Sequence, residues 1–197
     1  MKKPDRRGEP WRPTKEQLQR ARGKRVPNVI EPRLRVLFCG INPGLYSGAV
    51  GHHFARPGNR FWPALARAGF TDVVLSPFEE RKLLARGCGI TNLVNYATAS
   101  ADELDAEDLR RGARRLERTV RRYRPRIVAI LGLGAYREAF RVARARAGPQ
   151  KERIGGARLW VLPNPSGRTA GYQLAALAAA FRKLRRAANR RAAERRV

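Results

Sequence analysis

The stretch Leu34-Arg-Val-Leu-Phe-Cys-Gly-Ile-Asn-Pro-Gly44 joins a short apolar run to a loop with two glycines and a proline. An apolar run of this length that ends at a glycine is typical of a buried strand. Residues 127–131 and 159–162 have the same character, and residues 89–94 fit a strand that enters a loop. The sequence therefore predicts several short strands that are buried on both faces.

Helical patterns separate these strands. The clearest begins at Asp105, carries Leu109, Leu116 and Val120 at helical spacing, and is stopped by Pro125. Other helices are predicted at residues 14–22, 59–69, 79–85, 133–140 and from 174 onward. Strands that alternate with helices indicate an α/β sandwich with a parallel sheet, whose functional site lies in loops at the carboxyl ends of the strands.

The charge balance indicates a polyanionic partner. The 197 residues include 43 Lys and Arg against 16 Asp and Glu, which gives a formal net charge of +27. The excess lies in residues 1–25, in residues 182–197 and in the stretch between them. Such a field attracts nucleic acid, and an excess of arginine favours forked contacts with phosphates and base edges.

Composition also excludes several classes of protein. No apolar run approaches the roughly 18–20 residues that span a bilayer, and the basic N-terminal stretch lacks the apolar segment of a secretory signal. Cys39 and Cys88 are too few for a disulfide framework or a metal cluster, so we expect them to be small core residues. We expect a cytoplasmic protein, associated with the nucleoid and not with a membrane.

Two loops after predicted strands carry unusual sets of residues. Gly40–Gly44 presents Asn42, whose amide oxygen can hold a water or a polar ligand edge, although a plain turn is the alternative. Gly51–Trp62 interleaves aromatic residues with arginine and glycine, which suits base stacking beside a phosphate track. A surface loop is the alternative there. We expect no metal at His52 and His53, because adjacent side chains rarely share one ion.

A third loop, Leu162–Thr169, follows the last predicted strand. Its prolines make it rigid, Gly167 permits close backbone approach, and Arg168 at its tip can enter a groove of DNA. The alternative is a rigid strand-to-helix connection. Gly132-Leu-Gly134 is a weak match to a dinucleotide-binding loop, because the third glycine is missing.

Four blocks together resemble the mismatch-specific uracil-DNA glycosylase and thymine-DNA glycosylase family. They are Gly40–Gly44, Gly51–Trp62, Gly89–Val94 and Asn164–Gly167, and they occur in the family's order and approximate spacing within residues 27–186. The resemblance implies a three-layer α/β/α sandwich with a central, mainly parallel sheet. It also implies removal of damaged bases from DNA by base flipping, without metal or cofactor.

The resemblance assigns roles to individual residues. Asn42 is implied to be the catalytic residue that holds the attacking water, and Phe54 the aromatic that stacks on the flipped base. The backbone of Ile41, together with that of Phe54, is implied to read the edge of the base. Ser47 is implied to sense the C5 substituent, and Asn92 to lie at the rim of the pocket. The segment implied to enter DNA is Asn164, Pro165, Ser166, Gly167 and Arg168.

The sequence departs from many relatives at two places. Arg168 stands where bacterial relatives often have leucine, and a guanidinium there suits the guanine left unpaired opposite a flipped base. Asn95 stands where relatives often have an acid, so its role is left open. The role of His53 is also left open. No lysine lies in the three loops, so a Schiff-base lyase is not expected.

These observations predict both the domain organisation and the function. Residues 1–26 are expected to be a basic extension, residues 27–186 the catalytic domain and residues 187–197 a basic tail. The function expected is that of a monomeric, monofunctional glycosylase acting on uracil in double-stranded DNA, chiefly in G·U mismatches, with ethenocytosine, xanthine and thymine as further substrates. Abasic-site repair enzymes would act on its product. A non-catalytic DNA-binding protein on the same fold is the alternative, and a nucleotide-binding protein is disfavoured by the incomplete glycine loop.

Overall fold

The computed structural model describes residues 12–166 and 173–193. Helices lie on both faces of a five-stranded sheet. The helices are α1 (Lys15–Gln19), α2 (Leu45–Val50), α3 (Phe61–Ala68), α4 (Ala106–Tyr123), α5 (Leu133–Phe140) and α6 (Leu174–Ala193), with 3-10 helices at Pro77–Arg86 and Ala101–Glu103. The strands are β1 (Val36–Gly40), β2 (Cys88–Asn92), β3 (Ile127–Leu131), β4 (Gly148–Ile154) and β5 (Ala157–Leu162).

The sheet has the strand order β2-β1-β3-β5-β4. The first four of these strands are parallel, and β4 pairs antiparallel with β5 at the edge. In the central register Phe38 of β1 lies beside Ile90 of β2 and Ala129 of β3. The predicted three-layer α/β/α sandwich with a mainly parallel sheet is therefore confirmed.

Alternate residues of the strands supply two separate cores. Phe38, Ile90 and Ala129 face the layer formed by α3 and α6, where Phe38 packs on the rings of Phe61 and Phe181. Leu37, Cys39, Val128 and Ile130 face the opposite layer, which contains α4 and α5. Both cysteines are buried, and burial raises the pKa of each thiol to about 12, which fits the predicted role as small core residues.

The structure also contains elements that the sequence pattern did not predict. β4 is an edge strand of mixed polarity, and α2 is a six-residue helix that begins at the end of the Gly40–Gly44 loop. The helix predicted at residues 79–85 is instead a 3-10 helix over Pro77–Arg86, capped by Ser76. Among the described residues, no helix is long and apolar enough to cross a membrane.

Segments at both ends of the described residues pack against the sheet and its helices. Within the expected N-terminal extension, Ala21 and Val26 are buried and backbone hydrogen bonds join residues 23 and 24 to Ala97. At the other end α6 continues to Ala193, with Ala188 packed in the α3 and α6 layer. The division at residues 26 and 186 stays a prediction.

The parallel strands give the sheet two distinct ends. The carboxyl end, where β1 stops at Gly40 and β2 at Asn92, carries the loops singled out by the sequence. The amino end, where β1 begins at Val36 and β3 at Ile127, lies on the opposite side. A five-residue strand separates the two ends by roughly 16 Å.

Candidate active site

A cavity of about 800 Å³ opens at the carboxyl end of the sheet. This is within the range of about 300–1,000 Å³ that is typical of small-molecule sites. It brings together eight residues that the sequence singled out: Ile41, Asn42, Ser47, His53, Phe54, Asn92, Asn164 and Ser166. Leu18 of α1 and residues 98–102 form further parts of the wall.

The side-chain amide of Asn42 has a fixed orientation. Its Nδ2 donates to Thr98 Oγ1 at 2.7 Å, to the Pro43 carbonyl at 3.2 Å and to the Tyr96 carbonyl at 3.4 Å. Carbonyl oxygens only accept, and the Thr98 hydroxyl donates its own hydrogen to the Ser100 carbonyl at 2.6 Å. The NH₂ group must therefore face these three oxygens, which leaves Oδ1 as the acceptor that Asn42 presents to the cavity.

Phe54 forms an aromatic wall and has a strained backbone. Its φ of 52° lies in the left-handed region, which is uncommon for a residue with a large side chain. Hydrogen bonds hold the residues on both sides of it: His53 N–H donates to Glu80 Oε2 at 2.8 Å, and Ala55 N–H donates to Ser47 Oγ at 3.1 Å. The Phe54 ring stacks on Phe61 with centroids 4.0 Å apart. The loop is thereby fixed with the ring at the cavity.

Asn92 is oriented by a buried histidine. His53 Nε2 lies 3.0 Å from the Pro27 carbonyl, which only accepts, so the proton is on Nε2 and Nδ1 is an acceptor. Burial lowers the pKa of His53 to about 4, which keeps the ring neutral. Asn92 Nδ2 lies 3.3 Å from His53 Nδ1 and donates to it. The Oδ1 atom of Asn92 is therefore turned the other way, over Gly40.

Gly40 provides the space in which these groups meet. A Cβ atom at this position would lie 2.4 Å from Asn92 Oδ1 and 3.2 Å from Phe54 Cζ. Neither distance can be accommodated without moving one of the two side chains. The glycine that ends β1 is thus required for the form of the cavity floor.

Arg115 fixes the end of β2 from the opposite layer. Its Nη2 donates to the Asn92 carbonyl at 2.9 Å and also to the Leu93 carbonyl. Desolvation lowers the pKa of this half-buried guanidinium. The two contacts hold the backbone of Asn92, while His53 holds its side chain.

Ser47 and Ile41 lie where the sequence expected them, with additional structural roles. Ser47 is buried, and its oxygen is the acceptor for Ala55 N–H. The Ile41 carbonyl accepts from Val94 N–H at 2.8 Å, which ties the Asn42 loop to the segment after β2. Both residues line the cavity.

The segment that follows β5 is anchored at the cavity rim. Asn164 Oδ1 accepts from Ser166 N–H at 3.0 Å, and the Pro165 carbonyl accepts from Arg60 N–H at 3.1 Å. The Arg60 guanidinium also donates to the Ser166 carbonyl. Gly167 and Arg168, which the sequence assigned to the same DNA-binding segment, lie outside the described residues.

Sequence reasoning missed two residues that support the site, and a third residue, whose role it left open, lies outside the cavity lining. Thr98, which orients Asn42, and Glu80, which binds the loop before Phe54, were not singled out. Glu80 is buried, burial raises its pKa, and its Oε1 lies 2.9 Å from His52 Nδ1. Asn95 is half-buried and is not among the residues that line the cavity. The sequence signal for Thr98 was weak, because it is simply a polar residue a few positions after β2.

Two further motifs concern metal and nucleotide binding. Within the two described ranges, no group of three or more His, Cys, Asp or Glu residues is placed to hold a metal ion. The Gly132 amide, which begins the weak dinucleotide motif, donates to the Leu162 carbonyl at 2.9 Å. That amide is therefore occupied by the sheet and does not face a phosphate.

Comparison with known proteins agrees with this fold. One solved structure similar to this chain is a solution NMR structure of a candidate uracil DNA glycosylase from Methanosarcina acetivorans, with a TM-score of 0.52 and 19% identity. The match covers 83% of this chain and 98% of that one, and at this identity it shows the fold. The model of the uracil DNA glycosylase superfamily matches residues 27–189, a stretch that contains the cavity loops and most of α6. The chain therefore belongs to the uracil DNA glycosylase superfamily.

Proposed function

We propose that this protein is a monofunctional DNA glycosylase that removes uracil from DNA, chiefly from G·U mismatches. The single observation that carries the proposal is the orientation of Asn42, whose three donor contacts leave Oδ1 as the acceptor at the cavity. That oxygen can accept a hydrogen bond from a water and hold it in line with C1′ of a flipped nucleotide. Family membership supports the same reaction class.

The reaction does not require the protein to provide a strong general base. The C1′–N bond of the nucleotide breaks, its electron pair goes to the departing base, and the sugar develops oxocarbenium character. The water held by Asn42 then forms the new C1′–O bond and loses a proton to solvent. An amide does not take up that proton, so the rate depends on how stable the departing base anion is, and uracil leaves more easily than cytosine or a purine.

The pocket geometry supports a base that offers an N–H group. Phe54 provides a ring face for stacking, and Asn92 Oδ1 is an acceptor beside it because His53 uses the Asn92 NH₂ group. Uracil and thymine both carry N3–H, whereas cytosine has an acceptor at N3. Cytosine offers N–H only at its N4 amino group, so an Oδ1 that faces N3 would be left without a donor, at a cost of about 1–3 kcal/mol, which disfavours cytosine.

Two features support further selectivity at the lesion. Ser47 lines the cavity where the family resemblance implies contact with the C5 substituent, so a thymine methyl meets a buried, hydrogen-bonded side chain. A methyl group is worth only ~1–3 kcal/mol, so thymine remains a slow substrate. The cavity volume exceeds that of one pyrimidine, which leaves room for xanthine and ethenocytosine. Ethenocytosine has no N–H to donate to Asn92 Oδ1, so we expect its release to be slower than that of uracil.

The DNA-facing side of the proposal rests on the loop after β5. Arg60 holds the Pro165 and Ser166 carbonyls, so this part of the loop is fixed at the cavity rim. We propose that Arg168 fills the gap left by the flipped nucleotide and bonds the unpaired guanine through its O6 and N7 atoms. The partner is then duplex DNA bound by one monomer, and abasic-site repair enzymes act next on the product.

A substrate panel tests the proposal. Duplexes with G·U, A·U, G·T and G·ethenocytosine pairs, and single-stranded DNA with uracil, are incubated with excess enzyme and cleaved with alkali at abasic sites. We expect release from G·U to be fastest and thymine to be released slowly. Intact duplex binding with no release from any lesion would contradict the proposal and favour a basic DNA-binding protein on this fold, which the +27 charge also fits.

A further inference from the structure

The amino end of the sheet, opposite the cavity, carries a concentration of arginines. Backbone hydrogen bonds bring the segments that enter the strands together: Arg126 N–H donates to the Leu34 carbonyl at 2.8 Å, and Arg33 N–H to the Tyr123 carbonyl at 2.7 Å. The last turns of α6 reach the same end, where Arg35 Nη1 donates to Asn189 Oδ1 at 2.9 Å. We call Arg33, Arg35, Arg124, Arg126, Arg186 and Arg190 the amino-end cluster.

Carboxylates do not neutralise this cluster. Within residues 12–166 and 173–193, no Asp or Glu is within ion-pair distance of any of its six members. Exposed acids on adjoining segments include Glu31, Asp72 and Glu152, and Asp72 is paired with Arg86. Arg33, Arg124, Arg186 and Arg190 are exposed. Their charges therefore create a positive electrostatic potential at this part of the protein surface.

Local helix electrostatics account for only part of this arrangement. Arg186 and Arg190 lie in the last turns of α6 and Arg124 caps α4, where the helix dipole favours positive charge. Arg33 and Arg35 lie on the segment that leads into β1, where no helix ends, and Arg126 lies between the end of α4 and β3. Like charges gathered in this way repel one another, and a polyanion relieves that repulsion.

We propose that the amino-end cluster is a second DNA-binding surface, which holds the phosphates of a duplex segment other than the one at the cavity. This inference rests on the proposed function only in assigning the first duplex segment to the cavity. The sheet places the two ends roughly 16 Å apart, and phosphate contacts require direct approach at about 3 Å. The two ends face opposite directions along the strands, and duplex DNA is stiff over about 150 base pairs, so a short duplex bound at the cavity does not bend round to the cluster.

The contact is independent of sequence, because it uses guanidinium groups and phosphates only. The protein then bridges two duplexes, and an enzyme that searches for rare lesions can pass between DNA segments without first leaving DNA. Phosphate contacts of this kind release counterions, so bridging weakens steeply as salt rises.

A bridging assay tests this surface on the full chain. Undamaged biotinylated duplex on beads captures a second, fluorescent undamaged duplex only when the protein binds both. The test variant replaces four exposed cluster members, R33Q, R124Q, R186Q and R190Q. The matched control, R118Q, R144Q, R146Q and K151Q, removes the same charge from exposed positions on α4, β4 and the loop before β4. Melting temperatures of both variants establish that they fold.

We expect the cluster variant to lose bridging by about tenfold or more relative to the control. Its single-turnover release of uracil from a G·U duplex should equal that of the wild type. The double variant R33Q/R190Q should show an intermediate loss. Equal bridging by the cluster variant and the control, whether retained or lost in both, overturns the proposal. A wild type that bridges DNA but releases no base would instead contradict the proposed function alone.

Discussion

Nδ2 of Asn42 lies 2.7 Å from Oγ1 of Thr98, a residue 56 positions further along the chain. The Thr98 hydroxyl is itself oriented by the Ser100 carbonyl, so it accepts from Asn42 and does not donate to it. This contact decides which atom of the Asn42 amide faces the cavity. The side chain that we propose to be catalytic thus depends on a segment beyond β2 for its orientation.

Removal of the Thr98 acceptor should slow base release without weakening DNA binding. Thr98→Val keeps the shape but leaves Asn42 Nδ2 with only the two longer carbonyl contacts. We expect the single-turnover rate on G·U DNA to fall about tenfold, equivalent to about 1.4 kcal/mol. Thr98→Ser, which keeps the hydroxyl, is the control and should retain most activity. A Val variant as fast as the wild type would show that Thr98 does not position Asn42.

A methyl group at Gly40 should block the pocket. Gly40→Ala places Cβ 2.4 Å from Asn92 Oδ1, so Asn92 or the Phe54 ring must move. We expect at least an order of magnitude, about 1.4 kcal/mol, to be lost in single-turnover base release. Gly44→Ala is the matched control, since a Cβ there meets nothing within 4 Å and the backbone φ is −73°. Equal rates for the two variants would contradict the assigned pocket floor.

His53 should make the fold sensitive to mild acid. Its folded-state pKa of about 4 lies below the ordinary value of 6.5, so between these pH values the unfolded chain binds a proton that the folded chain does not. The free energy of unfolding should therefore fall by about 2–4 kcal/mol as pH drops from about 6.5 to 4. The raised pKa of Glu80 acts in the opposite direction.

Comparison with His53→Gln isolates this effect, because Gln does not titrate and Glu80 is present in both proteins. Denaturant unfolding at several pH values should show a steeper loss of stability for the wild type than for the variant. Parallel curves between pH 6.5 and 4 would mean that His53 is not held neutral.

The N-terminal residues before the described range should contribute to the salt dependence of DNA binding. Deletion of residues 1–11 removes Lys2, Lys3, Arg6 and Arg7 and leaves the packed segment from Thr14 intact. Each phosphate contact contributes about 0.9 to the slope of log K against log salt, so we expect the slope to fall by about 1 or more. An unchanged slope would mean that these residues do not touch DNA.

The sequence predicted the layers because they depend on local patterns of apolar residues. The strands that were predicted are apolar and fully buried, as in β3, whereas β4 has the mixed pattern of an exposed edge and was missed. Asn42, Phe54 and Asn92 were assigned to the site through the family resemblance of their loops; all three line the cavity, and their roles stay predictions. Thr98 and Glu80 were missed because their contacts with Asn42 and His53 join segments distant in sequence.

The most direct test of the central claim is single-turnover release of uracil from a G·U duplex by Asn42→Ala, with duplex affinity measured on the same protein. We expect release to fall by at least three orders of magnitude, about 4 kcal/mol, while affinity stays within a few-fold. Asn95→Ala, on a neighbouring segment but outside the cavity lining, is the matched control and should release uracil at the wild-type rate. Release by Asn42→Ala at a rate close to that of the wild type would contradict the account, because the water would then be positioned by another group.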